Sequence, residues 1–282
     1  MLSIPLGPLA VPTAPVLLLA AAWLGSMLAA RVAVRGGRAS GPSAAADAGT
    51  RAGDALWWAV AVGLLAARLA FVARHAEAYA ASPWSIVDLR DGGWHAKAGV
   101  AAALAWVAWR MLVRPALRGG IAAGATLAAA LWFGGSFALG RWDRAPVPDV
   151  SVVDLATGRT VTLAEALGGR PAVVNLWASW CGPCRAEMPL LAAAQQRDSG
   201  VAVLLVNQGE TEAIVRAYLR RERLDLREVM LDTGRQLSKA ASAPGLPTTL
   251  FLDAQGRRVD VHVGVLSDAV LRARMAAIGA TR

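Results

Sequence analysis

Residues 172–191 read Ala172-Val173-Val174-Asn175-Leu176-Trp177-Ala178-Ser179-Trp180-Cys181-Gly182-Pro183-Cys184-Arg185-Ala186-Glu187-Met188-Pro189-Leu190-Leu191, and this stretch decides the fold. An apolar run of strand character, 172–177, stops just short of a cysteine, and a helix-like run follows. The two cysteines are the only ones in 282 residues, spaced C-x-x-C. A helix N-terminus carries roughly half a positive charge, which favours thiolate over thiol. A cysteine placed there can fall from a pKa of about 8.5 to between about 3.5 and 7.5. The alternatives are a structural disulfide or half of a zinc site. Zinc would need two further ligands, and the chain offers three histidines, two of them far upstream, and no third cysteine. A redox dithiol is the favoured reading. Cys181, at the helix start with its sulfur left exposed by the preceding loop, is the expected nucleophile. Cys184, one turn on and on the same helical face, is the expected resolving cysteine.

Composition divides the chain into unlike halves. Hydrophobic residues make up 56% of it and mean hydropathy is positive, both high for a soluble protein. The formal net charge of +9 is unevenly spread. Residues 1–144 carry 13 Lys/Arg against 6 Asp/Glu, and residues 145–282 carry 16 against 14. The basic excess therefore sits between hydrophobic segments, which points to membrane topology and away from nucleic acid. Two cysteines in one motif exclude a disulfide-stapled scaffold.

Residues 1–140 are expected to form an all-α membrane domain of about four transmembrane helices, at about 14–30, 55–73, 98–113 and 120–139. Arg31, Arg35 and Arg38 follow the first apolar stretch instead of preceding it, unlike a secretory signal. With Arg110, Arg114 and Arg118 after the third, they place the amino terminus and residues 141–282 outside the cytoplasm. Gly36–Gly53, rich in Gly, Ala and Ser, reads as an exposed linker. Gly120-x-x-x-Gly124 offers a seat for a neighbouring helix. Arg68 is expected to snorkel to the headgroups, to pair with Glu77, Asp88 or Asp91, or to contact a lipid headgroup or anionic substrate. His95 and Lys97 read as interfacial residues, and Trp57, Trp58, Trp84, Trp94, Trp106, Trp109 and Trp132 as interfacial or packing tryptophans.

Within this half, Ala67-Arg68-Leu69-Ala70-Phe71-Val72, His75, Tyr79, Pro83, Ile86 and Asp88-Leu89-Arg90-Asp91-Gly92-Gly93-Trp94 resemble a stretch of prolipoprotein diacylglyceryl transferase. The resemblance covers residues of about 55–105. The family's functional His-Gly-Gly would fall at Lys97-Ala98-Gly99, with His95 two places early. That departure implies a shortened, non-catalytic relative.

Residues 141–148 read as a proline-stiffened tether, and 149–282 as an α/β domain. A hairpin is expected from Val150–Leu155 and Thr160–Leu163, a helical turn at 163–168 and a buried strand at 172–177. The C-x-x-C helix follows at about 182–197. Then come a strand at Val201–Asn207, a helix at Glu210–Arg223 and a strand at Glu228–Leu231. A short helix at Gln236–Ala241, strands Leu250–Asp253 and Arg258–Val263, and a closing helix at 267–278 complete the pattern. Arg216, Arg220, Arg221 and Arg223 read as a solvated helix face, and His262 as an ordinary strand residue.

From Val174 to Pro189, and again over Gly245-Leu246-Pro247-Thr248-Thr249-Leu250-Phe251-Leu252-Asp253 with Gly256-Arg257 and Gly264, the sequence looks like the TlpA/ResA branch of the thioredoxin superfamily. That branch consists of membrane-anchored, extracytoplasmic thiol-disulfide oxidoreductases. The resemblance implies a thioredoxin fold: a central mixed sheet with helices on both faces and an N-terminal β-hairpin. It implies a cis-proline at Pro247 facing the dithiol. Leu246, Pro247 and Thr248 would then bind substrate together with Trp180, Gly182 and Pro183, while Trp177 packs beneath. It gives Glu187 a part in proton transfer around Cys184, and sets Asn175 where cytoplasmic thioredoxins keep a buried acid.

The Gly182-Pro183 pair is that of reducing thioredoxins, near about −270 mV, so the expected direction is reduction of protein disulfides. No metal and no cofactor beyond the Cys181–Cys184 pair is expected. Partners are expected to be disulfide-bearing extracytoplasmic proteins, membrane lipid and a separate transmembrane electron donor, since the four spans hold no further cysteine. Cytochrome c maturation is one such setting, and the bacterial inner membrane with a periplasmic redox domain the location. The rivals are a thiol oxidase and a lipoprotein- or lipid-handling transferase with an accessory thioredoxin domain.

Overall fold

The structure, a computed structural model, describes residues 3–6, 9–80, 83–87, 91–143, 147, 149–197 and 200–280. A short hairpin of β1 (Ser3–Leu6) and β2 (Leu9–Pro12), which the sequence reading did not anticipate, precedes the helices. Helices α1 (Thr13–Gly37), α2 (Pro42–Arg74), α4 (Ala96–Val113) and α5 (Arg118–Asp143) follow, with the short α3 (Ala76–Ala80) after α2. Each of the four long helices, the last taken over Pro115–Leu139, has the length and apolarity to cross a membrane.

The expected linker at Gly36–Gly53 is instead almost wholly helical: α1 runs to Gly37 and α2 begins at Pro42. Its alanines are the strongest helix formers, and Pro42 occupies the first turn, where its missing N–H costs nothing. The tether expected at 141–148 lies in part outside the described residues, and Arg141–Asp143 continue α5.

Small residues line the helix contacts. α1 packs on α5 and α2, and α2 on α4. A Cβ on Gly120 would stand 2.7 Å from the Ala29 carbonyl oxygen, and one on Gly124 would strike that of Gly25. The Gly120-x-x-x-Gly124 pair therefore brings α5 into backbone contact with α1. Gly63 and Gly99 do the same between α2 and α4, where a Cβ on Gly99 would lie 2.9 Å from the Gly63 oxygen. Leu56, Leu117 and Ile121 are buried between the helices, while Leu19, Trp23, Leu65, Leu69, Leu104, Leu112, Phe133 and Phe137 are exposed.

The second half is built on a seven-stranded sheet, in the order β4-β3-β7-β6-β5-β8-β9. Its strands are β3 (Ser151–Asp154), β4 (Thr160–Thr162), β5 (Ala172–Trp177), β6 (Ala202–Gln208), β7 (Val229–Asp232), β8 (Thr248–Leu252) and β9 (Arg258–Val263). β5, β6 and β7 run parallel, while the β3–β4 hairpin, β8 and β9 pair antiparallel. With the active-site helix following the central β5, this is the mixed sheet of a thioredoxin-like fold.

Every residue of β5 is buried because both faces are covered. Val173 and Trp177 face α7 (Gly182–Gln195), α8 (Glu212–Arg221) and α10 (Asp268–Gly279), through Met188, Leu191, Val215, Tyr218 and Leu271. Ala172, Val174 and Leu176 face α6 (Leu163–Leu167) and α9 (Gln236–Ala240), through Leu163, Leu167 and Leu237. Phe71 and Tyr79 of the helical half belong to the first of these clusters, so the two halves share a core.

A polar latch centred on Asp91, which also accepts from Ser267 of the second half, joins them. Arg68, 6% exposed, neither snorkels nor reaches solvent. Its Nη1 donates to Asp91 Oδ1 at 2.8 Å and to the Gly93 carbonyl at 3.0 Å, and its Nη2 donates to the Ser85 carbonyl at 2.9 Å. Of the three acids considered for it, Asp91 is its partner; Asp88 lies outside the described residues. The glycine pair has a steric cause: Gly92 sits at φ +72, and a Cβ on Gly93 would lie 2.6 Å from the Phe71 ring.

Candidate active site

The dithiol sits where β5 hands over to α7. Cys181 is the N-cap residue of α7, in extended conformation, and Gly182 and Pro183 form its exposed first turn. The two sulfurs are bonded at 2.07 Å, with Cα atoms 5.2 Å apart. The Cys184 backbone N–H donates to Cys181 Sγ at 3.2 Å, which is how a helix start stabilises a thiolate once the bond opens. Cys181 is less open than expected. In the bonded form it is 4% exposed and Cys184 is fully buried, while Trp180 beside them is 64% exposed. Trp177 is completely buried and packs on Tyr218 at 5.5 Å between ring centroids.

β8 brings the second wall. Leu176 of β5 lies opposite Thr248, so Pro247, just before Thr248, falls at the sheet end from which the Cys181 turn leaves. The Leu246–Pro247 peptide bond is cis. The Pro247 carbonyl accepts from Gly264 N at 2.9 Å, and Thr248 Oγ1 donates to the Gly245 carbonyl at 2.6 Å.

Glu187 lies one turn after Cys184 on the buried face of α7 and is 1% exposed. Its Oε1 accepts from Asn175 Nδ2 at 2.8 Å and its Oε2 from the Leu266 backbone N–H at 3.1 Å. Burial pushes its carboxyl up to about 7, while the bonds from Asn175 and Leu266 pull the other way. A solvated surface glutamate is thereby excluded. Asn175 also donates to Thr249 Oγ1 at 2.9 Å, spending both amide hydrogens. An acid that titrates near neutrality one turn from a buried thiol can take up that thiol's proton.

The sequence reading has Glu210 as a helix start and His262 as an ordinary strand residue, and what each does at this end becomes visible only in the fold. Glu210, 8% exposed, accepts from Ser179 N at 2.7 Å, Ser179 Oγ at 2.5 Å and Asn207 Nδ2 at 2.6 Å, and so pins the turn that delivers Cys181. Only its position just after a buried strand could have marked it. His262 is buried, its Nε2 3.2 Å from the Val265 carbonyl, and burial followed by the nearby Arg274 pushes its pKa down to about 4.

Comparison with known proteins points the same way. The Redoxin family model matches residues 143–275. Thiol-disulfide oxidoreductase ResA of Bacillus subtilis (strain 168) is 30% identical over 122 residues, 43% of this chain and 67% of that protein. Thiol:disulfide interchange protein DsbE of Pseudomonas fluorescens biotype C is 33% identical over 136 residues, 47% of this chain and 72% of its own. A solved thioredoxin-family thiol:disulfide interchange protein from Chlorobium tepidum TLS aligns over 48% of this chain and 97% of its own, at TM-score 0.42 and 26% identity.

Proposed function

The chain belongs to the redoxin-domain thiol-disulfide oxidoreductases of the ResA and DsbE type, and on that premise we propose that it is a membrane-anchored, extracytoplasmic reductase of protein disulfides. The carrying observation is the Cys181–Cys184 pair at the start of α7, with buried Glu187 one turn below. In the reduced enzyme the Cys181 thiolate attacks one sulfur of a client disulfide; the client bond breaks and one client thiolate leaves. Cys184 passes its proton to Glu187 and attacks Cys181 Sγ, which breaks the mixed disulfide and expels the second client thiolate. The client gains two electrons and the Cys181–Cys184 bond forms. Trp180, Gly182, Pro183 and Leu246 line the client's approach, the backbone at Leu246 pairing with an extended segment, while Pro247 and Thr248 are buried behind them and Thr248 holds the loop through Gly245. No cofactor is required beyond the cysteine pair.

A second dithiol must reopen the bond. Cys181 and Cys184 are the chain's only cysteines, so the donor is a separate protein. The helical half serves as anchor and not as a diacylglyceryl transferase: Arg68, the cation such a site would offer a headgroup, is buried against Asp91 and loop carbonyls.

Sidedness rests on the charges. Arg51 and Arg114 line one cleft, which sets the α1–α2 and α4–α5 connections at the same end of the bundle. Phe71, 20 residues further along the 33-residue α2 than Arg51 and so about 30 Å away, enters the core of the redox half. The basic connections on one side and the dithiol on the other fit the positive-inside rule.

A Cys184→Ala variant should accumulate mixed disulfides with clients through Cys181. If it captures none in cells where the intact protein is active, the exchange mechanism fails. The reduction potential against a glutathione buffer tests direction: a value near or above about −150 mV would make the protein an oxidase.

A further inference from the structure

Asp91 is 3% exposed and gathers donors from four segments. Its Oδ1 accepts from Arg68 Nη1 at 2.8 Å and from Gly93 N at 2.9 Å. Its Oδ2 accepts from Tyr79 OH at 2.9 Å and from Ser267 Oγ at 3.1 Å. The first three donors belong to the helical half and its loop. Ser267 belongs to the redox half, 176 residues away, where it also caps α10 by accepting from Val270 N at 3.3 Å. The residue before it, Leu266, donates its N–H to Glu187 Oε2.

The segment 264–267 is thus held at three points. Gly264 N bonds the Pro247 carbonyl, the Val265 carbonyl meets His262 Nε2, and Ser267 bonds Asp91. Among these it offers one amide to the buried acid. The path from α2 to the dithiol's proton acceptor is Arg68, Asp91, Ser267, one peptide unit, Glu187.

We propose that Asp91 is a positioning residue for thiol exchange: anchored on the helical half, it fixes Ser267 and thereby the Leu266 amide that holds the Glu187 carboxylate. The helical half then does more than moor the redox half; it sets the proton affinity of the acid beneath the dithiol. This rests on Glu187 being the proton acceptor. The groups facing Glu187 are Asn175, the Leu266 amide and, one turn back, Cys184. Those facing Asp91 are Arg68, Tyr79 and Ser267, with Arg274 and His262 beyond Gly92 and Asp260 paired to Arg274. Burial and then the Asp91 bond push Tyr79 up to about 12, so it remains a neutral donor at every working pH.

The test uses the full chain in lipid nanodiscs, reducing a disulfide-bonded peptide in a single turnover across pH. Ser267→Gly and Ser267→Ala both delete the hydroxyl while sparing the Arg68–Asp91 pair. Glycine is itself tolerated at a helix N-cap, so folding does not hinge on the alanine variant. A hydrogen bond to a carboxylate favours its charged form. Loosening the Leu266 bond should therefore raise the midpoint of the Glu187 limb, by about one pH unit, a tenfold change in proton affinity. Ser267→Thr, which keeps a hydroxyl, should restore the wild-type midpoint; loss of helix capping alone would lower stability without moving it. A wild-type midpoint in the folded glycine or alanine variant, with the limb abolished by Glu187→Gln, overturns the role of Asp91. A limb that survives Glu187→Gln overturns the assignment of Glu187 instead.

Discussion

Replacing Glu187 by glutamine tests the burial of that carboxyl through the folding free energy. Held at about 7 in the fold against 4.5 in the open chain, it keeps a proton that the unfolded chain has lost across that window. Its contribution to stability is fully present below about pH 4.5 and is lost as pH rises through about 7. A shift of about 2.5 units amounts to about 3 kcal/mol. His262 acts in the opposite sense: with a folded pKa of about 4 against 6.5, its contribution is present above about 6.5 and lost as pH falls through about 4. Between about pH 4.5 and 6.5 the two slopes oppose each other, and the wild-type profile should be nearly flat. The informative quantity is the difference between variant and wild type, in which His262 cancels. Glutamine fills the same space and can still accept from Asn175, but it cannot ionise. The difference should shift in favour of Glu187→Gln by about 3 kcal/mol between about pH 4.5 and 7.5. Urea unfolding of the oxidised protein, read by hydrogen exchange in peptides from β5 and β8, measures it. A difference that does not change with pH would refute the buried, protonatable carboxyl.

Three further substitutions probe the surrounding structure. His262→Gln should remove the opposing slope, so that stability at about pH 4.5 rises relative to wild type by up to about 3 kcal/mol; denaturant titration at two pH values checks this. Glu210→Ala strands the Ser179 N–H and hydroxyl and the Asn207 amide, and should cost about 2–4 kcal/mol, visible as a lowered unfolding midpoint together with slower attack by Cys181. Gly124→Leu drives a side chain into the Gly25 carbonyl, Ala29 and Leu56, and should destabilise the helical half by more than the about 1–3 kcal/mol typical of overpacking; thermal melting in detergent would register it.

Most of the redox half was legible because its signals are local. Strand, cysteine pair and helix follow one another within twenty residues, and the alternation of strands with helices fixes the layers. Glu187 was found by its spacing from Cys184 together with the family resemblance. The partners that give these groups their chemistry were not legible. Asn175 and Leu266 meet Glu187 across 12 and 79 residues of chain, and Glu210 meets Ser179 across 31. Such contacts leave no periodicity. The stretch 36–53 was misread for a different reason: its Gly, Ala and Ser content suits both a linker and a helix packed through small residues. Gly49 decides it, since a Cβ there would lie 3.2 Å from the Ala30 carbonyl on α1. Likewise Asp91-Gly92-Gly93 resembled an enzyme's signature, whereas here the aspartate ties two halves together, Gly93 makes room for Phe71 and Arg68, and Gly92 lies against Arg274 and His262.

The core shared through Phe71 and Tyr79 bears on reach. A redox unit on a loose leash searches a volume around its mooring and meets partners at many heights and angles. One whose interior is completed by its own mooring has a single address and a single bearing. A fragment cut free after residue 148 would carry an open apolar socket where two aromatic rings had been.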